Sequence, residues 1–163
     1  MDFDQIIQCI KEFSPNRDNL GDMLHRIQNM HPEQYIPGEA IAQISLYTKI
    51  PVVEILGTIS FYNMFSLQPR GKYIIRVCKS YKCDKKESDL ILKKLLAHYN
   101  IPQAGQTSQN KLITVDSTEC LGKCKSCSAV SINNKYLRDV NHKNVITLVE
   151  EYIQNENLVN SVL

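Results

Sequence analysis

Two pairs of cysteines constrain this chain more than any other feature. The first pair, Cys78 and Cys83, is spaced C-x4-C, and the second, Cys120 and Cys124, is spaced C-x3-C. Each pair follows a run of β-branched residues that predicts a strand, so both pairs are expected on loops at strand ends. Two such loops can converge and present four thiolates to one inorganic site.

Thiolate ligands favour soft metals, which leaves zinc, copper(I) and iron–sulfur clusters as candidates. Structural zinc sites pair their ligands at C-x2–4-C, so the two spacings lie at the wide end of that range. Iron–sulfur clusters are commonly held by four cysteines and accept wider spacing. The spacing favours an iron–sulfur cluster, and it leaves open both zinc and an interpretation of the four cysteines as buried apolar residues.

The two remaining cysteines are interpreted differently. Cys127 forms C-x3-C-x2-C with Cys120 and Cys124, a spacing of radical-type 4Fe-4S enzymes, but here it lies near the end of a short chain. Cys124 and Cys127 also have the C-x-x-C spacing of thiol oxidoreductases, although a predicted strand, not a helix, follows them. Cys9 lies on the apolar face of the first predicted helix and is expected to be packed as a small hydrophobic residue.

Composition sets the class of protein and its expected location. The chain has 163 residues, 43% of them hydrophobic and 22% charged, which is typical of a globular protein of about one domain. No apolar run approaches the roughly 18 residues of a membrane span, so no membrane insertion is expected. Because the N-terminus is acidic and does not resemble a secretory signal, we expect a cytoplasmic location, including the cytoplasmic face of a membrane-bound complex. Disulfides are disfavoured in that reducing compartment, so clustered cysteines there indicate metal or redox chemistry.

Charge is distributed unevenly along the chain. Residues 1–69 carry a net charge of −4, residues 70–94 carry +6, and the remainder is neutral. Lysines of the basic stretch flank the first cysteine pair, where they either raise the potential of an anionic centre or form a solvated face. No nucleic-acid motif accompanies them, so nucleic acid is not an expected partner. The chain also lacks a dinucleotide fingerprint and a phosphate loop, and no catalytic residues are expected.

Hydrophobic periodicity divides the chain into two halves. Residues 1–66 show helical spacing and predict four helices, the first over 2–13, the second capped by Asp18, and the last two with Pro37 and Pro51 in their first turns. An aromatic and methionine group ends the fourth predicted helix: Phe61, Tyr62, Met64 and Phe65. Such a group suits either a protein interface or packing inside the chain.

From residue 72 the period changes to alternating strands and helices. The predicted elements are a strand over 73–77 ending at Cys78, a helix over 87–99, a strand over 112–115, a hairpin over 129–137 and a helix over 142–154. This order predicts a small α/β sandwich. The chain as a whole is therefore predicted to be α+β, with a helical bundle over 1–66 and the sandwich domain over 67–163.

These residues also carry a family resemblance. The matching stretches are 35–37, 60–65, 69–73, 77–83, 105–107 and 119–124, the last with the pattern E-C-L-G-x-C. On them the chain resembles the thioredoxin-like 2Fe-2S ferredoxins. That family includes the E subunit of NADH-quinone oxidoreductase and the matching small subunits of multimeric iron hydrogenases and NAD-dependent formate dehydrogenases. The resemblance covers about residues 20–153.

The resemblance implies a fold, a cofactor and partners. It implies an N-terminal helical bundle followed by a thioredoxin-like domain, and one 2Fe-2S cluster ligated by Cys78, Cys83, Cys120 and Cys124. It also implies a larger flavoprotein partner that holds FMN, the NAD site and further iron–sulfur clusters, and we expect the helical bundle over 1–66 to dock on that partner. We therefore expect an electron-transfer subunit of an NAD(H)-linked oxidoreductase. The alternatives are a zinc-stabilised four-cysteine binding module and a thioredoxin-like thiol-redox protein.

Two positions depart from the family pattern. Cys127 and Ser128 stand where the family usually has a small residue followed by proline, and Glu87 stands where it often has glycine. The first departure places a spare thiol beside the predicted ligands. Neither departure removes a ligand.

Overall fold

The computed structural model describes residues 2–80, 84–122, 129–133 and 135–160, with side chains of the last helix described up to residue 156. The chain divides into two compact units, Met1–Arg70 and Gly71–Leu163. We call the first the helical unit and the second the sheet unit. The described elements are helices and a mixed sheet, which confirms the predicted α+β class.

Four helices make up the described part of the helical unit. They are α1 (Phe3–Lys11), α2 (Leu20–Met30), α3 (Gly38–Thr48) and α4 (Val52–Phe61). Pro37 and Pro51 precede α3 and α4 by one residue, at the N-cap instead of inside the first turn as predicted. Proline has no N–H and a fixed φ, so it suits either of these adjacent positions.

The predicted cap of α2 is wrong by one residue. The helix begins after Asn19, not Asp18, because side chains close the preceding turn differently. The backbone N–H of Asn19 donates to Oδ1 of Asn16 at 3.1 Å, and its side-chain amide donates to the Ser14 carbonyl at 3.0 Å. Asp18 is left exposed.

One apolar core holds the four helices together. Met23, Ile27, Ile44 and Ile55 are fully buried in it, and Cys9 is packed among them as expected. Each large aliphatic side chain buried in this way contributes about 1.5–3 kcal/mol to stability.

The segment that follows α4 is held in place by two buried polar side chains. The Arg70 guanidinium donates to the three carbonyls of residues 63–65 at 2.8 to 3.3 Å. Gln28 donates to the Met64 carbonyl at 2.9 Å and accepts from the Ser66 N–H at 2.8 Å. These contacts attach residues 63–66 firmly to the helical unit.

The sheet unit contains five strands and two helices among its described residues. They are β1 (Tyr73–Cys78), α5 (Lys85–His98), β2 (Gln106–Thr107), β3 (Ile113–Thr118), β4 (Val130–Ile132), β5 (Lys135–Leu137) and α6 (Val145–Asn160). The strand order is β2-β3-β1-β4-β5, and β1 pairs with β3 in parallel while the other pairs are antiparallel. The two-residue strand β2 was not predicted, because it is too short to show a period.

The parallel pair β1 and β3 decides where the site forms. Its register runs from Tyr73 opposite Ile113 to Cys78 opposite Thr118, so the two strands end at the same level. Helices α5 and α6 contribute to the core of this unit through side chains such as Ile91. Among the described residues, none of the helices has the length and apolar character needed to cross a membrane.

Candidate metal centre

Cys78 is the last residue of β1, and neighbouring backbone fixes its position. Its N–H donates to the Ala129 carbonyl at 2.9 Å, and the next N–H, from Lys79, donates to the Thr118 carbonyl at 2.7 Å. The side chain is only 1% exposed. One candidate ligand is therefore held rigidly at the carboxyl edge of the sheet.

Cys120 lies two residues beyond the end of β3 and is exposed. The N–H of Gly122 donates to its sulfur at 3.4 Å. Gly122 has a φ of +68°, a left-handed conformation that glycine adopts without strain and that turns this N–H back toward the cysteine. Hydrogen bonds of this kind stabilise negative charge on a ligating sulfur.

The two loops converge at the carboxyl edge of β1 and β3. The Cys78 thiol donates to the carbonyl of Glu119, the residue before Cys120, at 3.5 Å. Cys78 also packs against Ala129 and Leu121, so the loop that carries the second pair lies on the first ligand. The structure thus brings together one cysteine from each predicted pair.

The other two predicted ligands, Cys83 and Cys124, lie outside the described residues, as does Cys127. The described ranges contain no cluster of three or more His, Cys, Asp or Glu side chains that could hold a metal ion. The four-cysteine ligand set therefore stays a prediction.

Helix α5 anchors both ends of the loop that begins at Cys78. The ammonium of Lys79 pairs with Asp89 at 3.2 Å. At the other end, Asp84 caps the helix by accepting the N–H of Glu87 at 3.1 Å. The first ligand loop therefore starts and ends on fixed backbone.

Glu87, one of the two departures from the family pattern, also has a defined partner. Its carboxylate accepts the backbone N–H of His142 at 2.5 Å and lies 2.8 Å from Nδ1 of the same residue. These bonds hold the pKa of Glu87 below its usual value. The contact joins the start of α5 to the turn before α6, and no local sequence signal could reveal it because the residues are 55 positions apart.

The described residues fit an iron–sulfur centre. They place two thiol sulfurs at one sheet edge, one buried and one exposed, with a backbone N–H directed at the exposed sulfur. Soft thiolate donors with N–H bonds to sulfur are the usual protein contribution to such clusters.

Comparison with known families decides between iron–sulfur and the alternatives. The model of the family "Thioredoxin-like [2Fe-2S] ferredoxin" matches residues 5–153. The chain belongs to this family. The match confirms the predicted 2Fe-2S cofactor and the thioredoxin-like fold of this ferredoxin.

Characterised relatives of this ferredoxin are subunits of larger complexes. The E subunit of NADH-quinone oxidoreductase from Rickettsia typhi is 30% identical over 146 residues, which is 88% of this chain and 85% of the relative. The HndA subunit of the NADP-reducing hydrogenase from Solidesulfovibrio fructosivorans is 25% identical over 148 residues, covering 91% and 85%. Homologues therefore act with partner subunits.

A solved structure shares the fold. An NAD+-reducing [NiFe]-hydrogenase in the air-oxidised state superposes with a TM-score of 0.66 at 25% sequence identity, over 85% of this ferredoxin. The ferredoxin spans only 23% of that hydrogenase chain.

Proposed function

We propose that this ferredoxin is the electron-transfer subunit of an NAD(H)-linked oxidoreductase, and that it exchanges electrons with a flavoprotein partner subunit. The observation that carries the proposal is the meeting of Cys78 and the Cys120 loop at one sheet edge. Its relatives, which are subunits of NADH-quinone oxidoreductase and of an NADP-reducing hydrogenase, supply the class of complex.

In this proposal, Cys78, Cys83, Cys120 and Cys124 together hold the 2Fe-2S cluster. When bound, such a cluster accepts and donates single electrons. Cys78 would anchor it from the buried end of β1, and Cys120 from the exposed loop. The exposed side of the site is then available for electron exchange, while the buried side excludes water.

The partner would supply what this chain lacks. The sequence has no dinucleotide fingerprint, so nicotinamide chemistry is assigned to a subunit that binds FMN and NAD and that passes electrons on to further iron–sulfur subunits. Thiols are kept reduced in the cytoplasm and stay available there as cluster ligands, which supports a cytoplasmic location.

Anaerobic reduction by NADH tests this proposal. The purified holoprotein should not be reduced by NADH alone, and its visible absorption should bleach once the flavoprotein subunit of its own complex is added. Dithionite serves as the control that the cluster is reducible. Direct reduction by NADH without the partner, or no reduction with it, would contradict the proposal.

A further inference from the structure

A cleft in the helical unit is not used by the metal site. It has a volume of about 460 Å³, within the range of ligand-binding pockets, and it lies between the first half of α2 and the side of α4. Its floor is apolar and includes Leu20, Ile50 and Phe65, and its rim carries the charged residues Asp18, Asp22 and the pair Arg17 and Glu54.

The floor and one wall of the cleft are apolar. Leu20, Ile50 and Phe65 are buried, whereas Tyr62 and Met64 expose 47% and 43% of their surface. Nε2 of His25 lies 2.9 Å from the Met64 sulfur, and its ring packs on Phe65 with centroids 4.9 Å apart. Tyrosine and methionine are enriched in the cores of protein interfaces.

The wall that carries these side chains is preorganised. The buried guanidinium of Arg70 and the amide of Gln28 bind the backbone of residues 63–66. Buried polar groups thus fix a short segment whose side chains at Tyr62 and Met64 are displayed to solvent. A wall fixed in advance loses less entropy when it binds a partner.

The rim of the cleft carries negative charge. Arg17 and Glu54 neutralise each other across 2.6 Å. Asp18 and Asp22 are exposed near the start of α2 and form no ion pair within the described part of the chain, so the rim keeps two negative charges without a cationic side chain. A partner that brings positive charge to the rim therefore gains a favourable interaction.

Gly21 opens the cleft further. It lies in α2, and a Cβ atom added there would meet nothing within 4 Å. Glycine weakens a helix relative to alanine, and no close packing within the described chain requires it here. Its absence of a side chain leaves room for an atom group from outside.

We propose that this cleft is the docking site for one apolar side chain flanked by a lysine or arginine on the flavoprotein partner subunit. The proposal rests on the proposed function for the existence of that partner. The floor receives the apolar side chain, and Asp18 and Asp22 pair with the neighbouring cation. Phe61, which is exposed at the end of α4 and packs on the ring of the lining residue Tyr62 with centroids 5.0 Å apart, extends the surface that a protein segment would cover.

Filling the cleft tests the proposal. Gly21→Phe should occupy the space, and because a buried anchor is worth a factor of about 30 in affinity, binding to the purified flavoprotein subunit should weaken by about that factor. Gly21→Ala adds only a methyl group, and it should bind like the wild type. Affinity is measured by calorimetry on the full-length holoprotein, with cluster absorption and circular dichroism checked for each variant.

The charge of the rim gives a second, independent test. Asp18→Asn with Asp22→Asn should slow association and flatten its dependence on salt, because steering by rim charges acts mainly on the on-rate. Glu39→Gln, an exposed acid on α3 outside the cleft, should change neither. This test holds even where Gly21→Phe fails to fold.

The outcomes separate this proposal from the proposed function. If the wild type binds the flavoprotein subunit, and both Gly21→Phe and the double asparagine variant bind it with the same affinity, the docking cleft is wrong and the proposed function stands. No binding by the wild type overturns both. If a cleft variant changes self-association in sedimentation and leaves partner binding intact, the cleft binds a second copy of this chain. That result also contradicts the proposed docking of the flavoprotein subunit.

Discussion

Cys9 in the helical unit and Cys78 in the sheet unit are buried to the same degree, with 1% of each side chain exposed, yet they have different surroundings. Cys9 lies on a helix inside an apolar core, and burial raises the pKa of its thiol. Cys78 lies where a parallel strand ends, beside the loop that carries Cys120. Burial alone therefore does not distinguish the two cysteines, whereas the position of Cys78 at the end of a strand supports the proposal that it is a ligand.

Serine substitutions should show the largest difference between Cys78 and Cys9. Cys78→Ser and Cys120→Ser should each abolish or grossly alter the 2Fe-2S cluster, because oxygen is a poor replacement for a thiolate ligand. Cys9→Ser should keep the cluster and lose only some stability, since a hydroxyl is then buried in an apolar core. Visible absorption and iron content check all three.

The same measurements extend to the cysteines outside the described residues. Cys83→Ser and Cys124→Ser should lose the cluster, and Cys127→Ser should retain it. An unchanged spectrum after removal of Cys78 would contradict the placement of the site at the end of β1.

The stability of the helical unit depends on the buried guanidinium of Arg70. Arg70→Met should lower the free energy of unfolding by about 3 kcal/mol, because three carbonyls lose a buried, charged donor. Denaturant unfolding monitored by far-ultraviolet circular dichroism measures the change. Arg17→Met is the matched control, since the Arg17 side chain is 71% exposed and forms a surface ion pair with Glu54, and its effect should stay within about 1 kcal/mol. If Arg70→Met and the control variant lost the same free energy of unfolding, the hydrogen bonds of Arg70 would not be important for stability.

In the sheet unit, the contact between Glu87 and His142 predicts a pH dependence. Hydrogen bonds from His142 lower the pKa of Glu87 below its usual value of 4.5, so the stabilisation is present above that pH. It is lost as the pH falls through the lower pKa of the folded protein. Wild-type stability should therefore fall more steeply than that of Glu87→Gln between about pH 5 and pH 3.

Glu39→Gln is the control for that titration, because Glu39 is exposed on α3. Its pH profile should follow the wild type. If Glu87→Gln also followed the wild type throughout the acid range, the contact with His142 would contribute nothing to stability.

The smallest expected effect concerns the basic stretch. Lys85→Gln with Lys86→Gln should lower the reduction potential by on the order of 10 mV, since screened surface charges interact weakly with the reduced cluster. Lys93→Gln with Lys94→Gln, also exposed and two turns further along α5, should shift it less. Redox titration followed by absorption measures both. Equal potentials in all variants would assign these lysines to a solvated face.

Local signals explain what could be predicted from the sequence. The β-branched run before Cys78 predicted a strand ending at that residue, and β1 ends there. The positions of α5 and of the hairpin were also predicted to within a few residues, because each has its own periodicity or turn, whereas α6 continues beyond its predicted end at residue 154 to Asn160. The parallel pairing of β1 and β3 then places the two cysteine loops at one edge.

Contacts between distant residues explain what could not be predicted. Arg70 lies in a stretch, residues 66–71, that has no hydrophobic periodicity, and only the folded chain shows that its side chain binds the carbonyls of residues 63–65. Glu87 looked like a departure from a family glycine until its bonds to His142 were visible. Neither contact leaves a periodic or turn signal in the sequence, so neither could be predicted from local patterns.

Metal and sulfide analysis combined with electron paramagnetic resonance tests the central claim most directly. The anaerobically purified chain should contain iron and acid-labile sulfide in equal amounts, two of each per chain, and should give a spin-one-half signal when reduced. A colourless protein with one zinc per chain, no sulfide and no signal would contradict the account.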